Sequence, residues 1–240
     1  NQFNVYELAP LSLGGVDVSF TNSSLWMVIA VATVTAMMVF GMGRRALVPG
    51  RMQSFIEMLY EFIANMVIDI AGPEAKRYFP FIFSVFMFVL FGNLLGMIPA
   101  SFTFTSHISV TFALAFICFL VITFIGFARH GLDYLKLFLP TGSPLFLAPL
   151  LIPIELFSYF ARPFSLAIRL FANMLAGHVV LKIFAGFSVA LATSFGILAA
   201  VVPAFVTIGL IGFEIFVACL QAYIFALLCC VYLNDAVHMH

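Results

Sequence analysis

Apolar residues run almost without a break from Leu25 to Met42 (LWMVIAVATVTAMMVFGM), from Tyr78 to Pro99 and from Ile108 to Ala128. A helix needs ~20 apolar residues to cross the ~30 Å hydrocarbon core of a bilayer. The pattern therefore predicts spanning helices over about 25–43, 78–99 and 107–128. Residues 51–71 behave differently. Phe55, Met58, Leu59, Phe62, Ile63 and Met66 recur at helical spacing while Glu57, Glu61 and Asp69 interrupt them, the amphipathic pattern of a helix lying in the interface. Beyond Pro144 come two much longer apolar segments, about 145–187 and 190–235. Continuous helices there would each be roughly 60 Å long, twice the hydrocarbon core, so they must break, bend or lie strongly tilted. The expected architecture is an all-α integral membrane protein, one membrane domain over residues 1–240. It has about five transmembrane helices plus one interfacial amphipathic helix, the last two spans forming a long, strongly tilted hairpin.

Composition agrees with a membrane protein. Hydrophobic residues make up 64% of the chain and charged residues 8%, against about 25% charged in a soluble domain. Ten Lys and Arg balance ten Asp and Glu, so nothing suggests a nucleic-acid partner. Arg44, Arg45, Arg51, Lys76, Arg77, Arg129 and Lys136 share one side if residues 51–71 do not cross. The positive-inside rule makes that side cytoplasmic, with residues 1–24 outside and the C-terminus inside. Those first residues are polar, so no cleavable signal peptide is expected. Cys118, Cys219, Cys229 and Cys230 lie in apolar stretches without metal-type spacing and are expected to be small buried hydrophobes. No Walker loop, zinc motif or nucleophile elbow appears, so neither metal nor cofactor is expected. Gly92-x-x-x-Gly96 and Ala176-Gly177 read as close-packing sites, and the Asn22-Ser23-Ser24 glycosylation pattern as accidental.

The two long segments nevertheless hold Glu155, Arg162, Arg169, Asn173, His178, Lys182, Glu214, Gln221 and Asp235. Ionisable groups at membrane depth cost at least ~2.5–3.5 kcal/mol each and are usually functional. Glu155, Arg162 and Arg169 are seven residues apart, close to two turns each, so they drift only slowly around one face. Asn173 lies one turn beyond Arg169. Folded as an antiparallel hairpin, a single register faces His178 with Glu214, Arg169 with Gln221 and Glu155 with Asp235, and puts the apex near Phe195–Gly196. On a straight helix His178 points roughly opposite Arg169 and lies ~13 Å along the axis from it. Taken singly, each has a plainer reading. Arg169 could be an anchor paired with Glu155 or a carbonyl, His178 a packing residue neutralised by Glu214, and Lys182 and Arg162 snorkelling cations.

At these positions the chain resembles subunit a of the F-type ATP synthase. The resemblance rests on SYFARPFSLAIRLFANMLAGH (158–178), on FEIFVACLQAYIFALLCCVYLNDAVH (213–238) and on FGNLLGMIP (91–99), and covers the chain from the first span onward. It implies that Arg169 is the stator arginine facing a rotating ring of c subunits. Asn173 and Gln221 match polar residues beside it, His178 and Glu214 the pair lining an outer proton half-channel. Glu155, with Asp235 nearby, would belong to the inner half-channel. The implied partners are the c ring, peripheral-stalk b subunits, the catalytic head indirectly, and the lipid bilayer. The implied location is a bacterial inner membrane, the flavour being alphaproteobacterial or mitochondrial-like. The chain itself would be a non-catalytic subunit without cofactor. The competing reading is a secondary ion or proton transporter, which often shows internal repeats and Gly/Pro-broken helices; no half-to-half repeat is visible here. A membrane-embedded transferase lacks its acidic motif.

Overall fold

The computed structural model describes residues 5–10, 12–13, 16–17, 19–42, 50–98, 101–138 and 148–238. Arg44, Arg45 and residues 145–147 of the expected fourth span fall outside them. Six helices carry the fold: α1 (Asn22–Met42), α2 (Arg51–Ala71), α3 (Phe79–Gly96), α4 (Ile108–His130), α5 (Ala148–Phe195) and α6 (Ile197–Val237). All but α2 are long and apolar enough to cross a membrane, the all-α membrane architecture expected. One small addition precedes them. Strand β1 (Glu7–Ala9) pairs antiparallel with β4 (Phe20–Thr21), and β2 (Ser12–Leu13) with β3 (Val16–Asp17), forming nested hairpins ahead of α1.

Helix α3 is the core of the bundle. Ile82, Phe86, Met87 and Val89 are buried, and α1, α2 and α6 all pack on it. The second half of α6 meets it with small residues, Ala218, Ala222, Ala226, Cys229, Cys230 and Ala236, all buried. Small side chains let helix backbones approach closely where lipid offers no hydrophobic drive to associate. Cys118 is buried as expected, whereas Cys219 is exposed on the far side of α6. On α2 the apolar stripe divides. Ile63 and Met66 face the core together with Ile56 and Val67, while Phe55, Met58 and Phe62 are exposed. A helix with apolar residues on both flanks suits a site between protein and lipid.

The glycine pair of α3 packs against the segment that leads into α4. A side chain at Gly92 would strike Phe104, its Cβ 2.5 Å from the ring Cζ, and one at Gly96 would lie 2.7 Å from Thr103 Cγ2. The two glycines cradle the connection between α3 and α4. Replacing Gly92 with Ala overpacks a site filled by the buried Phe104, and is expected to cost about 1–3 kcal/mol. A matched Gly50→Ala change meets open space and should be near neutral. Thermal unfolding of the detergent-extracted protein reads both; equal midpoints would mean that Phe104 moves aside freely.

Helices α5 and α6 are each continuous, 48 and 41 residues long. At ~1.5 Å per residue they measure about 70 and 60 Å. The chain reverses at the single residue Gly196, whose φ of 89° lies in the left-handed region that favours glycine. This is where the polar register put the apex. From Val179 to Phe213 no residue is buried, so the tip of the hairpin stands clear of the other helices.

Candidate functional site

The polar residues of α5 and α6 divide between opposite faces, as a 3.6-residue period requires. His178 faces inward at 6% exposure and Glu214 at 7%, with His178 Nδ1 3.7 Å from Glu214 Oε1. Gly177 makes this possible, because a Cβ there would sit 2.6 Å from Glu214 Oε1. Among the described residues neither carboxylate oxygen has a hydrogen-bond partner. Arg169, half a helical turn away around α5, is exposed, flanked on the same face by exposed Ile168 and Ala172. Among the described residues no hydrogen bond or ion pair engages it. Gln221, expected opposite Arg169, is instead 3% exposed with its amide Nε2 unpaired. Asn173 is half-buried between the two faces.

Two cavities flank the acid–base pair. One of about 380 Å³ is lined by His178 with Met97, Lys182 and Thr207. The other, about 220 Å³, is lined by Glu214 with Asn173, Gly177 and Phe213. Each exceeds the ~10–15 Å³ that a single water requires, and polar groups project into both. His178 thus lines one cavity and Glu214 the other, with the 3.7 Å contact between them.

A second cluster lies further down the hairpin. Arg162 Nη1 donates to Asp235 Oδ2 at 2.9 Å and lies over the rings of Tyr159 and Tyr232, 5.4 and 5.0 Å from their centroids. The register had set Asp235 against Glu155 and left Arg162 to snorkel. Instead Arg162 takes Asp235, and Glu155 stays half-buried one pair-length further along. Tyr159 continues the cluster to Thr123 on α4 at 2.6 Å and to Tyr134 at 3.2 Å.

Several polar residues of the site escape a reading confined to charge. Asn93, the one amide in α3, donates to the carbonyl of Ala218 one turn from Glu214, at 3.3 Å. Thr103 contacts His178 Nε2 at 3.0 Å. Ser101, Thr103, Thr105 and Ser106 are all buried, and the buried Nε2 of His107 has no partner. A connection that alternates phenylalanine with hydroxyl residues, SFTFTSH, is the signal. Solvent-facing loops do not need that apolar half.

These features define a class: a multi-pass helical membrane protein that carries a buried acid–base pair on one side of its longest hairpin and an exposed arginine on the other. The chain belongs to the ATP synthase A chain family, whose sequence profile matches residues 24–234. It is 55% identical over 239 residues to ATP synthase subunit a of Rhodospirillum rubrum, spanning 100% of this chain and 98% of that protein. The corresponding subunit of Paramagnetospirillum magneticum is 54% identical over 242 residues, covering 100% and 98%. That of Pelagibacter ubique is 52% identical over 241 residues, covering 100% and 97%.

Proposed function

We propose that this chain is the stator subunit a of an F-type ATP synthase membrane sector, coupling proton flow to rotation of a ring of c subunits. One observation carries the reading: Arg169 is exposed on the face of α5 opposite the buried His178–Glu214 pair. In lipid alone that guanidinium would have no compensation, and it stays charged at any working pH. A surface bearing ionisable carboxylates is the complementary partner. A ring carboxylate must be protonated to pass the acyl chains, because its ionised form is costly there. Opposite Arg169 the balance reverses, since a nearby cation at low dielectric favours the carboxylate.

In this reading protons enter from outside through the cavity at Lys182, pass His178 and Glu214, and load a ring carboxylate beside Asn173. After nearly a full turn the proton leaves towards the cytoplasm near Glu155 and Asp235, with Gln221 behind Arg169. Arg169 separates the two paths and blocks a direct leak. The N-terminal hairpins lie outside, the C-terminus inside, in a bacterial inner membrane. Peripheral-stalk b subunits hold the chain against the catalytic head.

The docking face is testable in native membranes. With Cys219→Ser removing the exposed native thiol, a photoreactive cross-linker on Ile168→Cys or Ala172→Cys should capture the small ring subunit. The same probe on Phe55→Cys, on the exposed flank of α2, should not. Capture of lipid alone from the α5 positions would sink the ring-facing assignment.

A further inference from the structure

We propose that Thr103 is a positioning residue of the outer path: it holds the proton of His178 on Nε2, so that Nδ1 alone exchanges protons with Glu214. The inference rests on the half-channel reading above. It starts from the connection that Gly92 and Gly96 cradle. Thr103 is fully buried, and its Oγ1 lies 3.0 Å from the Gly96 carbonyl and 3.0 Å from His178 Nε2. A threonine hydroxyl has one proton and two lone pairs, so it can donate to only one of these.

The neighbouring serine decides which. Ser101 Oγ lies 2.7 Å from the Ile98 carbonyl, which also accepts from the Ser101 amide at 3.0 Å, and 3.1 Å from that of Gly96, and the shorter contact takes the serine proton in this assignment. The Gly96 carbonyl, buried at the end of α3, then receives its proton from Thr103. With that proton committed, the hydroxyl can only accept from His178, and Nε2 must carry a hydrogen. The other ring nitrogen, Nδ1, faces Glu214 Oε1 at 3.7 Å. While Thr103 holds Nε2–H, a proton cannot enter the ring on one nitrogen and leave from the other. Nδ1 takes up a proton delivered by way of the cavity that His178 and Lys182 line, forming the imidazolium. When the pair closes to hydrogen-bond distance, about 2.8 Å, the Nδ1–H bond breaks and an O–H bond forms on the Glu214 carboxylate. Neutral imidazole returns with Nε2–H untouched, ready for the next cycle.

Thr103→Val keeps the shape that fills the space over Gly96 and removes the acceptor; Thr103→Ser keeps the acceptor. In inverted vesicles with assembled complex, ATP-driven proton pumping is expected to fall roughly fivefold in Thr103→Val, the scale of one lost neutral hydrogen bond, and to return towards wild type in Thr103→Ser. In ¹⁵N-histidine spectra of the assembled membrane sector, the resonances absent from His178→Gln should report Nε2–H in the wild type and a tautomer mixture in Thr103→Val. Wild-type pumping by Thr103→Val, alongside an inactive Glu214→Gln, would overturn this inference and leave the half-channel standing. Near-normal pumping by both would remove the half-channel reading itself. Equal loss in the valine and serine variants, or an Nδ1–H wild-type tautomer, would show that Thr103 only packs.

Discussion

Arg169→Ala should abolish proton-driven ATP synthesis, by at least about a hundredfold, in complexes that still assemble. Assembly is expected to survive because Arg169 makes no hydrogen bond or ion pair within the described chain and sits on an exposed face. Alanine there leaves no buried partner stranded. In the proposed mechanism, what disappears is the fixed cation that lowers the cost of an ionised carboxylate as it crosses between the two paths. Without it a ring carboxylate keeps its proton, and both paths meet the same neutral site. Membrane sectors stripped of the catalytic head should then also leak protons passively, read with a pH-sensitive dye under an imposed potential. Arg169→Lys should fall between, since a lysine placed in apolar surroundings can lose its charge. Synthesis near the wild-type rate in Arg169→Ala would reduce the residue to a structural anchor.

Glu214→Gln should lower proton transport in both directions by roughly 10²-fold or more, the usual scale of a lost proton-transfer group. Glutamine has nearly the same shape, and the carboxylate it replaces makes no hydrogen bond whose loss could unfold the hairpin. What is removed is titration, together with the carboxylate charge facing His178. Gly177→Ala tests the same point by geometry. Its Cβ would fall 2.6 Å from Glu214 Oε1 and 2.9 Å from Cδ, so the carboxyl must move off His178 while keeping its chemistry. A smaller loss, roughly tenfold, is expected. ATP-driven pumping in vesicles, with hydrolysis by the head as the internal standard, distinguishes the two. Full activity in Glu214→Gln would take the proton path away from this pair.

Much of this was legible in sequence because membranes simplify the code. Apolar run length gave the five spans, and the contrast of Glu57, Glu61 and Asp69 with their neighbours set α2 apart. The antiparallel register located both the turn at Gly196 and the His178–Glu214 pair, since near the apex facing positions are fixed by counting. Further down, the count drifts. Between the two observed pairs α5 advances 16 residues while α6 advances 21. Long helices that diverge from a strict facing register, and an arginine side chain long enough to reach across, gave Asp235 to Arg162 rather than Glu155. Thr103 and Asn93 were not legible for a different reason. Uncharged groups leave little trace in hydropathy, and their importance lies in which carbonyl or ring nitrogen the fold brings within 3.3 Å. Gly92 and Gly96 were legible as close-packing sites, but not that what they pack against is the connection between α3 and α4.

The one-residue reversal at Gly196 has a consequence for how such a chain can change. Any residue gained or lost between His178 and Glu214 turns one arm by about 100° relative to the other. That rotation would part His178 from Glu214 and carry Arg162 away from Asp235 in the same event. The segment therefore tolerates exchange of its apolar side chains far better than any alteration in their number. In the proposed mechanism its length is as much a part of the proton path as the residues that titrate, and insertions must be absorbed elsewhere, in the connections that precede α5.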